Sequence, residues 1–331
     1  MFRLIRGELD QAEHHAEEMR HLGEARNDAI WKCFGLNRSG TACVWLGKFI
    51  DARAYFEKYL SLWDPMYRAV WRAPEDLYLT SLTDFSRALL CLGYVDQARL
   101  RRNEALVEAR RLLPYTLAFG LLHAWFGDWA FEGVKSAETT LRSAEEALAI
   151  ADEQGFPYLL AWGTMMRGWC LGAMGRPAEA IPLMLQALAN YRASGASLFI
   201  PFWLMTLAEV YGMAAQADEG LKRLADAANI VEATQERWAE AEMHRLRGTL
   251  LLSMHEHAAA EDSFRLALTV AQQQSAKFWE LRAATSLTRL WRDQGKRTEA
   301  RNLLAPIYNW FTEGFDTPVL QDAKVLLDGL T

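Results

Sequence analysis

Residues 156–184 read FPYLLAWGTMMRGWCLGAMGRPAEAIPLM. Gly175 stands where a left-handed residue ends a helix. Glu179 follows near the next helix start, where negative charge suits the dipole. Ala180, Met184 and, beyond the quoted stretch, Ala187 lie at i, i+4 and i+7, which is one buried helix face. Gly168 precedes Ala180 by twelve residues. Small side chains at both places let two antiparallel helices approach closely, so the stretch predicts a helical hairpin.

The same grammar returns along the chain. Ala12, Ala52, Ala98, Ala137, Ala180, Gly220, Ala260 and Ala300 are separated by 40, 46, 39, 43, 40, 40 and 40 residues. Five positions before these marks stand Gly7, Gly47, Gly93, Gly175 and Gly295, with Ala215, His255 and Glu132 as exceptions. Twelve before them, small residues recur at Gly40, Ser86, Gly168, Ala208, Gly248 and Thr288, while Trp125 departs from the rule. A fixed period of this length signals stacked repeats.

The small–alanine pairing is that of tetratricopeptide repeats, although their period is shorter; an armadillo- or HEAT-like array fits the length better and the pairing less well. The expectation is an all-α fold, an α-solenoid of about seven tetratricopeptide-like helix hairpins with a period near 40. Residues 1–331 read as a single repeat domain. Residues 317–330 read as a capping helix, with Asp316 or Thr317 as N-cap before Pro318. One irregular stretch, Trp63 to Leu79 around Pro65 and Pro74, accounts for the 46-residue step. The first mark leaves no room for a preceding half-repeat, so the chain reads as a piece of a larger polypeptide.

Bulk composition narrows the function. Hydrophobic residues at 51% and charged residues at 24% fit a folded protein, and no apolar run is long enough for a membrane span. A net charge of −6 argues against nucleic acid, which asks for a basic face. Cys33, Cys43, Cys91 and Cys170 lack C-x-x-C spacing and read as reduced core residues of a cytoplasmic protein.

Phosphate-binding and nucleophile motifs are absent from the sequence: G-x-x-x-x-G-K-[ST], G-x-G-x-x-G and G-x-S-x-G do not occur. His255-Glu256-His257 is followed by Ala258 and Ala259 where a zinc-protease motif needs histidine. His14, Glu18 and His21 share a helix face with metal-ligand spacing, but on so polar a helix they read as exposed side chains. Asn37-Arg38-Ser39 matches a glycosylation sequon, which means little without secretion. The expectation is a non-enzymatic chain with no cofactor and no metal.

If first helices face inward, the groove-facing places follow from the marks. The middle repeats offer Phe119, Leu122, Phe126, Trp129, Trp162, Met165, Trp169, Phe202 and Met205. The last two repeats offer Glu242, Arg245, Arg282, Arg289 and Arg292. Most of the thirteen tryptophans fall in first helices or at their starts and read as core by default. Inward places that stay open would make an apolar trough with a mostly basic end, suited to an amphipathic helix or extended peptide and its carboxylate. Glu242 and Arg282 occupy equivalent places in adjacent repeats and also suit pairing with each other.

Three stretches carry a resemblance: FPYLLAWGTMMRGWCLGAMGRPAEAI, RWAEAEMHRLRGTLLL and FWELRAATSLTRLWRDQGKRTEARNLLAPIYNWFTEGFDT. They resemble the C-terminal tetratricopeptide-like region of large bacterial signalling proteins in which a nucleotide cyclase domain precedes an AAA- or STAND-type ATPase. The Trp71 to Leu79 stretch departs from such relatives. The resemblance implies a regulatory, protein-interacting repeat module whose partner is a protein or peptide, among them an N-terminal ATPase or cyclase domain of the same polypeptide. A sensor that captures a small molecule or short peptide in its concave groove is the alternative. An enclosed apolar pocket with a few convergent polar groups would favour the sensor, and a long open groove the interaction module. An α/α-toroid enzyme would need facing acids that these repeats do not supply.

Overall fold

A computed structural model describes residues 2–70 and 75–330. Among these the chain is helical throughout, with no strand. The helices are α1 (Phe2–Ile5), α2 (Leu9–Ala25), α3 (Ala29–Trp45), α4 (Phe49–Leu62), α5 (Leu77–Leu92), α6 (Val95–Ala109), α7 (Pro114–Glu132), α8 (Ala137–Glu153) and α9 (Pro157–Ala173). They continue as α10 (Pro177–Ala193), α11 (Ile200–Met213), α12 (Ala217–Thr234), α13 (Glu240–Ser253), α14 (His257–Gln273), α15 (Lys277–Asp293), α16 (Arg297–Tyr308) and α17 (Pro318–Asp328). From α3 to α16 they pair into seven hairpins. The second-type helix α2 packs ahead of the first pair, and α17 closes the array. Pro65 opens a short 3-10 turn, Pro65–Ala69. Pro74 and the residues from Trp71 lie outside the described residues.

The close approach within each hairpin has a measurable cause. A Cβ added at Gly40 would stand 2.8 Å from the Phe56 ring, and one at Gly248 2.5 Å from Phe264. Met184 fills the same space beside Gly168. Where the small residue carries a hydroxyl, that hydroxyl donates to the facing backbone: Ser86 to the Ala98 carbonyl at 2.8 Å and Thr288 to the Ala300 carbonyl at 3.3 Å. Ala52, Ala98, Ala180, Ala260 and Ala300 are each the fourth residue of a second helix and have no exposed surface. In the α7–α8 hairpin the buried face runs Thr140, Ala144, Ala147 and Ala151. The equivalent helical place is therefore Thr140, three residues beyond Ala137; Asp128 stands twelve residues before it, so this hairpin has no small residue at that place in either register.

The turns impose their backbone on whatever residue stands there. Gly47, Gly93, Gly175 and Gly295 have positive φ, and so do Ala215 (57°) and His255 (64°). Left-handed backbone costs a non-glycine roughly 1–2 kcal/mol. Hairpin stacking therefore overrides local preference at these two turns.

First helices line the superhelix axis, and the array winds tightly enough for distant hairpins to meet. Trp45 at the end of α3 packs against Phe199 (ring centres 4.5 Å apart) and Trp238 (5.9 Å). The Arg237 backbone N–H donates to the Trp45 carbonyl at 2.8 Å. The Arg282 guanidinium on α15 donates to the Ala130 carbonyl on α7 at 3.2 Å. All four cysteines are buried and unbridged.

Candidate functional site

The winding changes what the inward residues do. Phe119, Leu122, Phe126, Trp129, Trp162, Met165, Trp169, Phe202 and Met205 are each at least nine-tenths buried. Phe202 packs against Phe126 (4.9 Å), Trp129 (5.2 Å) and Trp125 (5.4 Å), and Phe126 against Trp162 (6.0 Å). The Trp129 and Trp169 indoles both donate to Glu209, at 3.2 and 2.8 Å. The expected open trough is thus filled by the molecule's own aromatic side chains. The cause is superhelical closure, which brings α11 and the α12–α13 turn onto α3 and α7.

The basic end is also engaged internally. Glu242, almost wholly buried, accepts from Arg245 at 2.7 Å and from Arg282 at 2.9 Å. Arg289 pairs with Asp322 at 3.4 Å, and Arg292 with Asp293 at 2.8 Å. Arg245, Arg282 and Arg289 share a polar cleft of about 260 Å³ with Lys135 and Asp322, whereas Arg292 lies outside it.

Space also remains beside α3 and α5. A partly enclosed cavity of about 310 Å³ lies between α3, α5, α7 and the turn before α11. Trp45, Tyr115, Phe119, Tyr158 and Phe199 form its aromatic wall, and Leu4, Ile5 and Leu198 its aliphatic side. Phe119 is the only residue of the expected trough on this wall. Ile5 is anchored there because its carbonyl accepts the N–H groups of Ser197 (2.8 Å) and Leu198 (3.0 Å). Phe199 adopts left-handed backbone (φ 72°), and its N–H donates to the buried Glu236 carboxyl at 3.0 Å.

The polar side is a ladder across first helices. Asn37 of α3 donates to Ser81 of α5 at 2.7 Å, and Thr41 to Asp84 at 2.9 Å. Arg38 bonds Glu75 at 2.9 Å, and Arg87 bonds Asp84 at 2.8 Å. Arg87 also meets His123 Nδ1 of α7 at 3.3 Å. A guanidinium only donates, so that nitrogen accepts and Nε2 carries the proton. Burial, with the adjacent Arg87 charge, holds His123 well below the ordinary histidine range, so the ring is neutral. Burial pushes the Glu236 carboxyl up to about 8, against the opposing hydrogen bond from Phe199 and the Arg87 charge.

None of Arg38, Thr41, Glu75, Asp84, Arg87, His123 or Glu236 stands out in the sequence as a site residue. A signal was present: α3 and α5 carry polar residues inside otherwise apolar helices, and those polar groups are buried. Asn37 has no exposed surface, so the sequon lies in a packed helix.

No family model matches the chain, and no curated protein matches its sequence. Solved structures do match in shape. A Rap protein complexed with competence and sporulation factor aligns at a TM-score of 0.61 and 13% identity, over 99% of this chain and 94% of that one. The apo form of RapI aligns at 0.50 and 15%, over 90% and 99%. The human IFIT1 dimer with m7Gppp-AAAA aligns at 0.50 and 16%, over 92% and 65%. At such identities the likeness is one of fold, and the chain is a tetratricopeptide-like α-solenoid.

Proposed function

We propose that the chain is a non-catalytic regulatory repeat module that takes a small molecule or short peptide into its axial cavity and passes that state to a protein partner. The observation that carries this reading is the cavity itself: aromatic, partly enclosed, and edged by buried ion pairs where α3, α5 and α7 meet. Its volume of about 310 Å³ is at the small end of ligand pockets and too small for a helix of a partner. The structural neighbour solved with competence and sporulation factor supports ligand capture by this fold. The sequence resemblance supports an ATPase or cyclase domain of the same polypeptide as the partner that responds.

Regulation requires that ligand-bound and ligand-free states contact that partner differently. Ile5 and Leu198 form part of the cavity wall and are joined by a backbone hydrogen bond. A ligand that moves this wall moves the chain's first helix with it. The test is a thermal-shift screen of the full chain against short peptides and metabolites. A ligand at a hundred times its Kd adds about 2.7 kcal/mol of stability. If a protein partner binds tightly while no small ligand shifts the melting temperature, the cavity reading is wrong.

A further inference from the structure

Among the described residues, the charge bordering the axial cavity is balanced, and this decides what it accepts. Among the described residues two carboxylates border it, Glu75 and Asp84, and each pairs with a guanidinium, Arg38 at 2.9 Å and Arg87 at 2.8 Å. All four side chains are nine-tenths buried or more. His123 adds no charge. Arg87 is moreover a cation seated in an aromatic cage: its guanidinium carbon lies 4.3 Å from the Phe126 ring centre, 4.5 Å from Trp45 and 5.2 Å from Trp238.

That cage is what an external organic cation would otherwise use. Here the chain's own side chain fills it, and the guanidiniums of Arg87 and Arg38 repel a second cation. An anion meets the negative ring faces of the wall and the carboxylates of Glu75 and Asp84. Either sign would also enter a desolvated site whose described charges are already paired with one another. An uncharged polar group meets no such penalty, because the wall also includes the hydroxyl-bearing residues Thr41, Thr80, Tyr115 and Tyr158.

We propose that the part of a ligand entering this cavity is uncharged and amphipathic: an aromatic or branched apolar body bearing a hydroxyl or amide. This rests on the cavity reading and narrows it to a chemical class. It separates the site from amine-binding aromatic cages and from carboxylate-binding arginine sites, both of which its residue types suggest when read singly.

The test is calorimetric titration of the full chain near neutral pH with three probes sharing one ring system: uncharged indole-3-ethanol, cationic tryptamine and anionic indole-3-acetate. Indole-3-ethanol is expected to bind at least about tenfold more tightly than either charged probe. Its binding is expected to vanish in the cavity-filling variant Phe119→Trp. Leu198→Phe is the second filling variant should the first not fold, each checked by circular dichroism. Asp84→Asn leaves one guanidinium unbalanced, so it is expected to shift preference about tenfold toward indole-3-acetate. If a charged probe binds the parent chain as tightly as the alcohol, and the filling variants abolish it, the uncharged class is overturned while the cavity stands. If no probe binds, or binding persists in the filling variants, both are overturned.

Discussion

Glu313 accepts the backbone N–H of Asp96 at 3.0 Å, although 217 residues separate the two in the chain. It also accepts the N–H of Gln97 at 3.3 Å, so a residue beyond α16 caps the first turn of α6. Tyr94 at the N-cap position makes no side-chain cap of its own. Beside this contact Arg99 pairs with Asp316 at 2.7 Å, and Tyr94 packs on Trp310 at 5.8 Å. The last turns of the solenoid are thereby fastened to its second hairpin.

Removing that cap should loosen this contact locally. Glu313→Ala is expected to lower unfolding free energy by about 1 kcal/mol, the usual worth of a helix N-cap. Amide exchange should quicken at the first turn of α6 and in residues 310–316. Unchanged protection at both places would show that the contact holds nothing.

Glu236 should make stability depend on pH. Its folded value of about 8 lies above the ordinary glutamate value of 4.5, so the folded state keeps a proton that the unfolded chain releases. The stability so contributed is complete below the unfolded value and is lost as pH rises through the folded one. The total span is on the order of 5 kcal/mol. Urea unfolding between about pH 5 and pH 9 should show the decline in the parent chain, and Glu236→Gln should flatten most of it. A parallel decline in both proteins would remove Glu236 as its source.

The hairpin contact at Gly248 admits no side chain. Gly248→Ala is expected to destabilise by about 1–3 kcal/mol, because the new methyl must displace the Phe264 ring. The double variant with Phe264→Leu should recover part of the loss, as measured by denaturant midpoints. An alanine tolerated without effect would mean that the two helices separate freely.

At two turns the natural residue is strained, and glycine should improve it. Ala215→Gly and His255→Gly each relieve a positive φ, at 57° and 64°. The relief of roughly 1–2 kcal/mol exceeds the entropy that glycine forfeits, so each should stabilise by about 0.5–1 kcal/mol. Thermal unfolding of the two single variants, and of the pair together, checks both sign and additivity. A fall in melting temperature would show that the strain is absent.

The hairpins were legible in the amino-acid order because the forces that shape them act between neighbours. Gly40 faces Phe56 and Gly168 faces Met184 across one short turn, so a small residue, a helix stop and an apolar stripe at a set spacing are enough to specify the pair. Even there one register slipped: around α8 the sequence pattern marks Ala137, while Thr140 is the fourth helical residue with Ala144 and Ala147 buried at i+4 and i+7.

The candidate site was not legible in this way, and the reason is accumulation. Each hairpin adds a small rotation to the last, and only their sum brings Trp45 onto Phe199 and Trp238. That sum turns the inward stripe from Phe119 to Met205 into core rather than trough. It also buries Arg87 in rings drawn from α3, α7 and the α12–α13 turn, and leaves a cavity where the ladder of polar groups runs. Amino-acid order thus determined the repeat unit, its period and its capping helix. The tertiary winding alone decided which inward residues are covered, which charges meet, and where space for a ligand remains, because those depend on distances set by all the hairpins together.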